Sequence, residues 1–413
     1  MAEPTDEPAP PDAVPAQPVV VVDDPAAYRE AVRRIAEGDG PIAVDAERAS
    51  GFRYSQRAYL IQLFRRGSGT VLIDPTAFPD LDDLAAAMSG AEWVLHAASQ
   101  DLPCLREVGL DPERIFDTEL GARLLGFERV GLGAVVEQLL GLHLAKEHSA
   151  ADWSTRPLPK PWLVYAALDV ELLLDVRDHE ARLLEEVGKS RIAEEEFEAV
   201  RTRQPKPAPT EPWRRLSGVH TVRGSRNLAV ARELWLARDA YARAVDSAPG
   251  RLVPDASLVA VARTPPSTKR ELASMRSFNG RASRSEIDRW WSAVETGLTT
   301  EDLPAARVPS DALPPPRAWS DRNPEADRRL KAARPRLVRI AEDLDLPTEN
   351  LLTPDVLRRL AWAPPQPVDA GTVAEALEEQ GARPWQVVAT AQAIAGAFVE
   401  ADQTPVDEAE ASS

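Results

Sequence analysis

Four carboxylates and one phenol, set in three short runs, are the residues of this chain that could do chemistry together. Asp45 and Glu47 stand in I-A-V-D-A-E, Asp101 in H-A-A-S-Q-D-L, and Tyr165 and Asp169 in Y-A-A-L-D. The runs are spread over about 125 residues, so folding must bring them together. Collected, they form an all-oxygen ligand set. Hard oxygen donors suit Mg²⁺ or Mn²⁺ rather than zinc. Two such ions support in-line attack of water on a phosphodiester.

The spacing says which elements must present these groups. Residues 41–47 read as a strand leaving an apolar run, and side chains at i and i+2 of a strand share a face. Asp45 and Glu47 then project together, with Ala46 pointing away. Residues 158–176 read as a helix, in which i and i+4 lie one above the other; Tyr165 and Asp169 share that face. Asp101 opens a short helix after the strand Trp93-Val94-Leu95-His96.

The chain has 413 residues, of which 44% are hydrophobic. At roughly 150 residues per domain this predicts two or three globular units. Its one cysteine, Cys104, excludes an intrachain disulfide and a CxxC zinc site. That usage fits a reducing cytoplasm. No signal peptide and no apolar run of membrane-spanning length is evident, so a soluble monomer is expected. The net charge of −17 at first argues against a polyanionic partner. The charge is uneven, however. Residues 205–300 hold 16 Lys and Arg against 9 Asp and Glu, a net +7, which leaves −24 for the rest. Phosphate attraction is set by charge within a Debye length of about 10 Å, not by the global sum.

Punctuation along the chain divides it. Residues 1–17 read as a disordered acidic, Pro-rich tail. Residues 18–200 mix strands and helices. Strand runs at 42–47, 59–64 and 69–74, joined by short turns, predict an antiparallel meander, with Val19–Val22 as a first strand. Later strands alternate with helices, which implies an α/β domain with a mixed sheet covered by helices. Residues 201–224 form a Pro-rich linker. Residues 225–300 are helical, 301–325 are a second Pro-rich linker, 326–400 are helical again, and 401–413 are an acidic tail. The two helical stretches have similar lengths and punctuation, which suggests a repeated module.

With these runs in order, the chain resembles the ribonuclease D family of DEDD exonucleases, in its tyrosine-bearing subclass. I-A-V-D-A-E is followed by Y-L-I-Q-L-F; V-L-H-A-A-S-Q-D-L-P-C-L by I-F-D-T-E-L-G-A-R-L-L-G; and the third motif is D-W-S-T-R-P-L-P-K-P-W-L-V-Y-A-A-L-D-V-E-L-L. The likeness covers about residues 20–190. Residues 228–298 resemble an HRDC domain through L-V-P-D-A-S-L-V-A-V-A-R-T-P-P-S-T-K-R-E-L-A-S-M, and 326–400 look like a second, divergent copy. The resemblance implies a ribonuclease H-like exonuclease domain followed by two small all-α HRDC-type domains. It implies a 3′–5′ exoribonuclease that trims RNA 3′ ends, tRNA precursors among them, to 5′-mononucleotides. It also implies metal ligation: Asp45, Glu47 and Asp169 on one ion, Asp45 and Asp101 on the other. Tyr165 would orient the attacking water, since a phenol with a pKa of about 10 is a poor bulk base. Ala46 departs from the usual Thr or Ser but points away from the metals. R-A-S-G-F-R-Y-S-Q-R-A also departs from familiar versions, where the substrate strand should pass.

Other residues have two readings. Trp153, Arg156 and Lys160 either stack on bases and touch phosphate or anchor the loop before the third motif. Lys269, Arg270, Arg276, Arg281 and Arg284 form a phosphate-tracking patch or an ordinary charged surface. His96 reads as structural, His148 as a solvated loop residue, Asp117 as a helix cap, and Asp175 as solvent-facing or paired with an arginine on its own helix. Glu194–Glu196 reads as a solvated face. Trp235, Trp290, Trp291, Trp362 and Trp385 read as small-domain core. The motifs do not separate RNA from single-stranded DNA as the polymer. An RNA-binding scaffold with a dead nuclease domain is the remaining alternative, against which all four acids and the tyrosine are present. Neutralising four residues of the 269–284 patch should flatten the salt dependence of RNA binding; an unchanged slope of log affinity against log salt would reject the patch.

Overall fold

The computed structural model describes residues 10–145, 148, 150–205, 207–307 and 312–403. Six strands form one sheet: β1 (Val21–Val22), β2 (Asp39–Arg48), β3 (Ala58–Arg66), β4 (Gly69–Ile73), β5 (Glu92–Leu95) and β6 (Arg114–Asp117), in the order β1-β4-β3-β2-β5-β6. The meander is present: β2–β3 and β3–β4 are antiparallel. The outer pairs β1–β4, β2–β5 and β5–β6 are parallel.

Helices α1 (Pro25–Glu37), α2 (Asp82–Met88), α3 (Leu102–Arg106), α4 (Thr118–Leu124), α5 (Leu132–Leu140), α6 (Lys160–Glu171), α7 (Leu173–Glu186) and α8 (Ser190–Arg201) surround the sheet. Strand alternation sorts β2 between two faces. Ile42, Val44 and Ala46 enter the main core with Ile61, Leu63, Val71 and Ile73. The opposite face, with Leu60 and Leu72, lies under α6, whose Leu163 and Ala166 pack on it. The helix expected over 158–176 is two helices that meet at Leu172. The break follows Glu171, whose carboxylate is fixed by the Thr70 hydroxyl at 2.5 Å and the Ala16 N–H at 3.0 Å.

That last bond corrects the N-terminal tail. Residues 1–9 lie outside the described residues, but 10–17 form a strap. Asp12 bridges to His143, Ala13 N–H donates to the His143 carbonyl at 2.9 Å, and His143 N–H donates to the Pro11 carbonyl at 2.8 Å.

The first helical module comprises α9 (Ser225–Ala244), α10 (Pro249–Leu252), α11 (Asp255–Arg263), α12 (Lys269–Ser274), α13 (Arg281–Ser285) and α14 (Ile287–Thr299). It has its own core around Trp290, Leu234 and Phe278. At Gly297 a Cβ would lie 2.5 Å from the Val230 Cα, so glycine permits the close approach of α14 to α9. The linker reading holds less far than expected, because Trp213, Leu216 and Val222 are buried in this core. The second module follows α15 (Trp319–Arg322) and contains α16 (Pro324–Asp343), α17 (Thr348–Leu351), α18 (Pro354–Trp362), α19 (Ala370–Glu379) and α20 (Pro384–Gln403). Trp319, in the second stretch read as linker, is fully buried against Trp362. This module shares the main core with the sheet domain. The opening helices of the modules are alike in length, 20, 4 and 9 residues in each. Of the tail at 401–413, residues 401–403 end α20, and the rest lies outside the described residues.

Glu194–Glu196 is corrected as well. Glu196 is buried, and its carboxylate accepts from Arg383 at 2.5 and 2.8 Å and from the Trp385 indole N–H at 2.8 Å. Glu195 accepts from the Trp385 backbone N–H at 2.8 Å. Long-range partners removed Glu195 and Glu196 from solvent, while Glu194 is exposed as expected. Glu196→Ala leaves a guanidinium and an indole N–H without their acceptor, a loss worth about 3–5 kcal/mol for a buried pair. The variant should melt earlier in calorimetry, with the second module unfolding first; an unchanged thermogram would show that the pair does not hold this interface.

Candidate active site

The three motifs converge. Asp45, Glu47 and Asp169 each offer a carboxylate oxygen, and these oxygens lie within 4.8 Å of one another. Two come from alternate positions of β2 and one from the α6 turn above it. Tyr165 stands one helical turn before Asp169, and the charge of that carboxylate acts on its phenol. Asp101 stands apart from the trio, at the start of α3, and is buried. Its position is set remotely: Asp117 accepts from the Ala97 and Ala98 N–H groups at 3.0 and 2.9 Å, fixing the turn before it. The same Asp117 caps α4 through the Glu119 and Leu120 N–H groups, the role expected from sequence.

Sequence reasoning missed Arg48, the residue after Glu47. Its guanidinium lies 3.8 Å from the Asp101 carboxylate. Its only sequence signal was a base following an acid pair. The Arg48 charge opposes, in part, the upward shift of Asp45, Glu47 and Asp101. Burial dominates that shift. It raises Asp45, and it pushes Glu47 up to about 10 with help from the charges of Asp45, Asp169 and Asp101. Asp101 and Asp169 are raised well above the usual range by burial and then by Asp45. Tyr165 is also raised, by burial first and then by Asp169 and Glu47.

Aromatic rings back the phenol. Trp153 lies with its centroid 6.4 Å from the Tyr165 ring and 5.3 Å from Trp162. Trp153 is fully buried, so the stacking reading is corrected: no face is open to a base. Arg156 likewise spends its guanidinium on the Asp74 carboxylate at 2.5 Å, the Tyr59 carbonyl at 2.7 Å and the Trp153 carbonyl at 2.8 Å. Both residues hold the loop. Lys160 remains exposed in the first turn of α6. His148 is a half-buried residue whose ring meets Tyr165 edge-on at 6.1 Å, not a solvated one. His96 is structural, bonded to the Thr118 hydroxyl at 2.9 Å, and burial pushes its pKa down to about 4. Asp175 pairs with Arg66 of β3 rather than with a base on its own helix. The patch residues Lys269, Arg270, Arg276, Arg281 and Arg284 are exposed, and Lys269 pairs with Asp288.

Comparison with known proteins bears on this geometry. Residues 19–185 match the 3′–5′ exonuclease family, residues 227–294 the HRDC domain, and residues 312–398 the 3′ to 5′ exonuclease C-terminal domain. The ribonuclease D of Pseudomonas paraeruginosa is 31% identical over 324 residues, 77% of this chain and 83% of that protein. The chain belongs to the ribonuclease D family. Another ribonuclease D, from Granulibacter bethesdensis, is 30% identical over 348 residues, 78% of this chain and 84% of that one. A crystal structure of a protein from Bifidobacterium adolescentis superposes with a TM-score of 0.87 at 39% identity, covering 94% of this chain and all 100% of the other. Escherichia coli RNase D, described as an exoribonuclease involved in structured RNA processing, gives 0.65 at 25% identity, with coverage of 89% and 100%. As a ribonuclease D this chain is a 3′–5′ exoribonuclease, with a ribonuclease H-like exonuclease fold and an HRDC domain. No described helix is long and apolar enough to cross a membrane.

The site suits a hard divalent cation: oxygen donors, mutually repelling, with Arg48 as the neighbouring cation. Raised pKa values favour the protonated form of these carboxyl groups in the folded chain. Their contribution to stability is complete below the unfolded values of about 4 and is lost as pH rises toward the folded value, about 10 for Glu47. In EDTA the melting temperature should therefore fall from pH 5.5 to 8.5. Mn²⁺ should restore it, most strongly at the alkaline end, and release protons on binding. Melting curves in EDTA and in Mn²⁺ at three pH values test this; stability rising with pH in EDTA would contradict it.

Proposed function

We propose that Asp45, Glu47, Asp101, Asp169 and Tyr165 form the hydrolytic centre of this ribonuclease D, and that two divalent ions, Mg²⁺ or Mn²⁺, serve it. The observation that carries this reading is the confinement of three carboxylate oxygens within 4.8 Å, with Tyr165 one helical turn before Asp169. Ions bound there would stabilise charge on the attacking and leaving oxygens of a phosphodiester. Asp45, Glu47 and Asp169 would hold one ion, and Asp45 and Asp101 would serve the other. Tyr165 keeps its proton, because burial and the neighbouring acids oppose ionisation. Its hydroxyl would orient the attacking water, the role that its place beside Asp169 supports.

The substrate is an RNA 3′ end emerging from a structured molecule such as a tRNA precursor, and the product is a 5′-mononucleotide. The structured-RNA role described for the E. coli relative supports this choice. Lys160 and the exposed patch Lys269, Arg270, Arg276, Arg281 and Arg284 are the phosphate contacts. The second module is an HRDC-like copy, which its helix lengths support. The working units are an exonuclease domain over 18–200 and helical modules over 225–300 and 326–400, in a monomeric cytoplasmic protein.

Asp45→Ala and Asp169→Ala should release no mononucleotide from 3′-extended tRNA, yet melt no earlier than wild type in EDTA, since each removes a crowded acid. Activity on RNA should vanish in EDTA. Full activity in either variant would sink the assignment, and faster digestion of single-stranded DNA would reassign the polymer.

A further inference from the structure

The segment between β2 and β3 begins two residues after Glu47, and the first helical module grips it. Ala49 is buried, and its carbonyl accepts from the Phe52 and Arg53 N–H groups, both at 2.8 Å. The next N–H groups, of Tyr54 and Ser55, donate to one carboxylate oxygen of Asp246 at 3.2 and 3.0 Å. The Tyr59 hydroxyl donates to its other oxygen at 3.3 Å. Around this bond Tyr54 donates to Asp239 at 3.0 Å, and Ala248 N–H donates to the Phe52 carbonyl at 3.0 Å. The Arg251 guanidinium lies 4.6 Å over the Phe52 ring. On the inner side Arg53 donates to Ser154 at 2.8 Å, joining the segment to the loop before α6.

Asp246 has φ +44°, a left-handed conformation that Asp and Asn tolerate better than other side-chain-bearing residues. Strain held at one residue that also makes three bonds to another domain points to a role there. The second module offers an internal comparison. Asp345, two residues past α16 as Asp246 is past α9, has φ +48°. Its carboxylate lies against Gly126, at the end of α4, and not on the segment between β2 and β3, and its carbonyl accepts from Lys189 at 3.1 Å.

We propose that the first helical module is a working part of the catalytic site: Asp246 is a positioning residue that fixes segment 52–59 as a wall beside the carboxylates and so places the RNA 3′ end for attack. This rests on the hydrolytic reading of the preceding subsection. It gives the module a task separate from its basic face. Two exposed residues, Gln56 and Arg57, are carried on the fixed segment and turned to solvent. Without Asp246, the Tyr54 and Ser55 N–H groups lose their acceptor and the segment can shift. A misplacement of the order of 1 Å costs about a hundredfold in rate.

The test uses the full chain with 3′-extended RNA and Mn²⁺, and compares Asp246→Gly, Asp246→Asn and Asp345→Gly. Glycine keeps the left-handed turn at no steric cost and removes only the carboxylate. Asparagine keeps an acceptor for both N–H groups. Asp246→Gly should lower kcat by about ten- to a hundredfold, with KM changed by less than about threefold. Amide exchange should quicken at 52–58 and not in α9. Asp246→Asn should recover most of kcat, and Asp345→Gly should stay near wild type. Wild-type kcat in Asp246→Gly, no recovery in Asp246→Asn, or an equal loss in Asp345→Gly would each overturn the proposal. A wild-type chain that releases no mononucleotide would instead overturn the hydrolytic reading beneath it. The exchange rates at 52–58 would then still report whether Asp246 holds the segment.

Discussion

Carboxylates that repel one another are held within a few ångströms, and the rest of the molecule is organised around keeping them there. An isolated acid in such a place would take a proton or move toward water. Here escape by movement is closed. Asp45 and Glu47 are fixed by the β2–β3 ladder, which pairs Asp45 with Gln62 and Glu47 with Leu60. Asp169 rides on a helix whose small Ala166 and Ala167 are fully buried. The strain is electrostatic rather than steric, and a divalent cation relieves it. Four perturbed acids in one place mark a functional site, and their oxygen donors suit a hard cation.

The two helical modules meet this core differently. The second shares its apolar core with the sheet domain and is clamped by the Glu196–Arg383 pair. The first keeps a separate core and reaches the sheet domain through polar contacts on one loop. A polar, hydrogen-bonded contact is directional, so it can set a geometry without merging two folding units. The loop it sets is the one that leaves the catalytic strand.

Much of the centre was legible because its spacing is local. The i, i+2 pair on β2 and the i, i+4 pair on α6 are properties of single elements, and periodicity reports those. The meander, the α4 cap and the tryptophan cores were legible for the same reason. What escaped depended on partners far along the chain. Glu196 has the sequence context of a solvated residue and becomes buried only because Arg383 arrives. Trp153 sits in a loop, where aromatic residues invite a binding role, yet Tyr165 and Trp162 enclose it. Arg156 carries the charge of a phosphate ligand, but Asp74 takes it. Arg48 and Asp246 belong to no motif at all; their roles come from distances that only the fold creates.

The N-terminal strap has a consequence for how the chain is made. Synthesis proceeds from the N-terminus, and domains form as they emerge. Ala16 is made before its acceptor Glu171, which lies 155 positions later. The strap cannot settle until the sheet and α6 exist. A segment made before the sheet is thus placed only after it, and it closes over the turn that follows Asp169. The strap serves as the latch that completes the sheet domain.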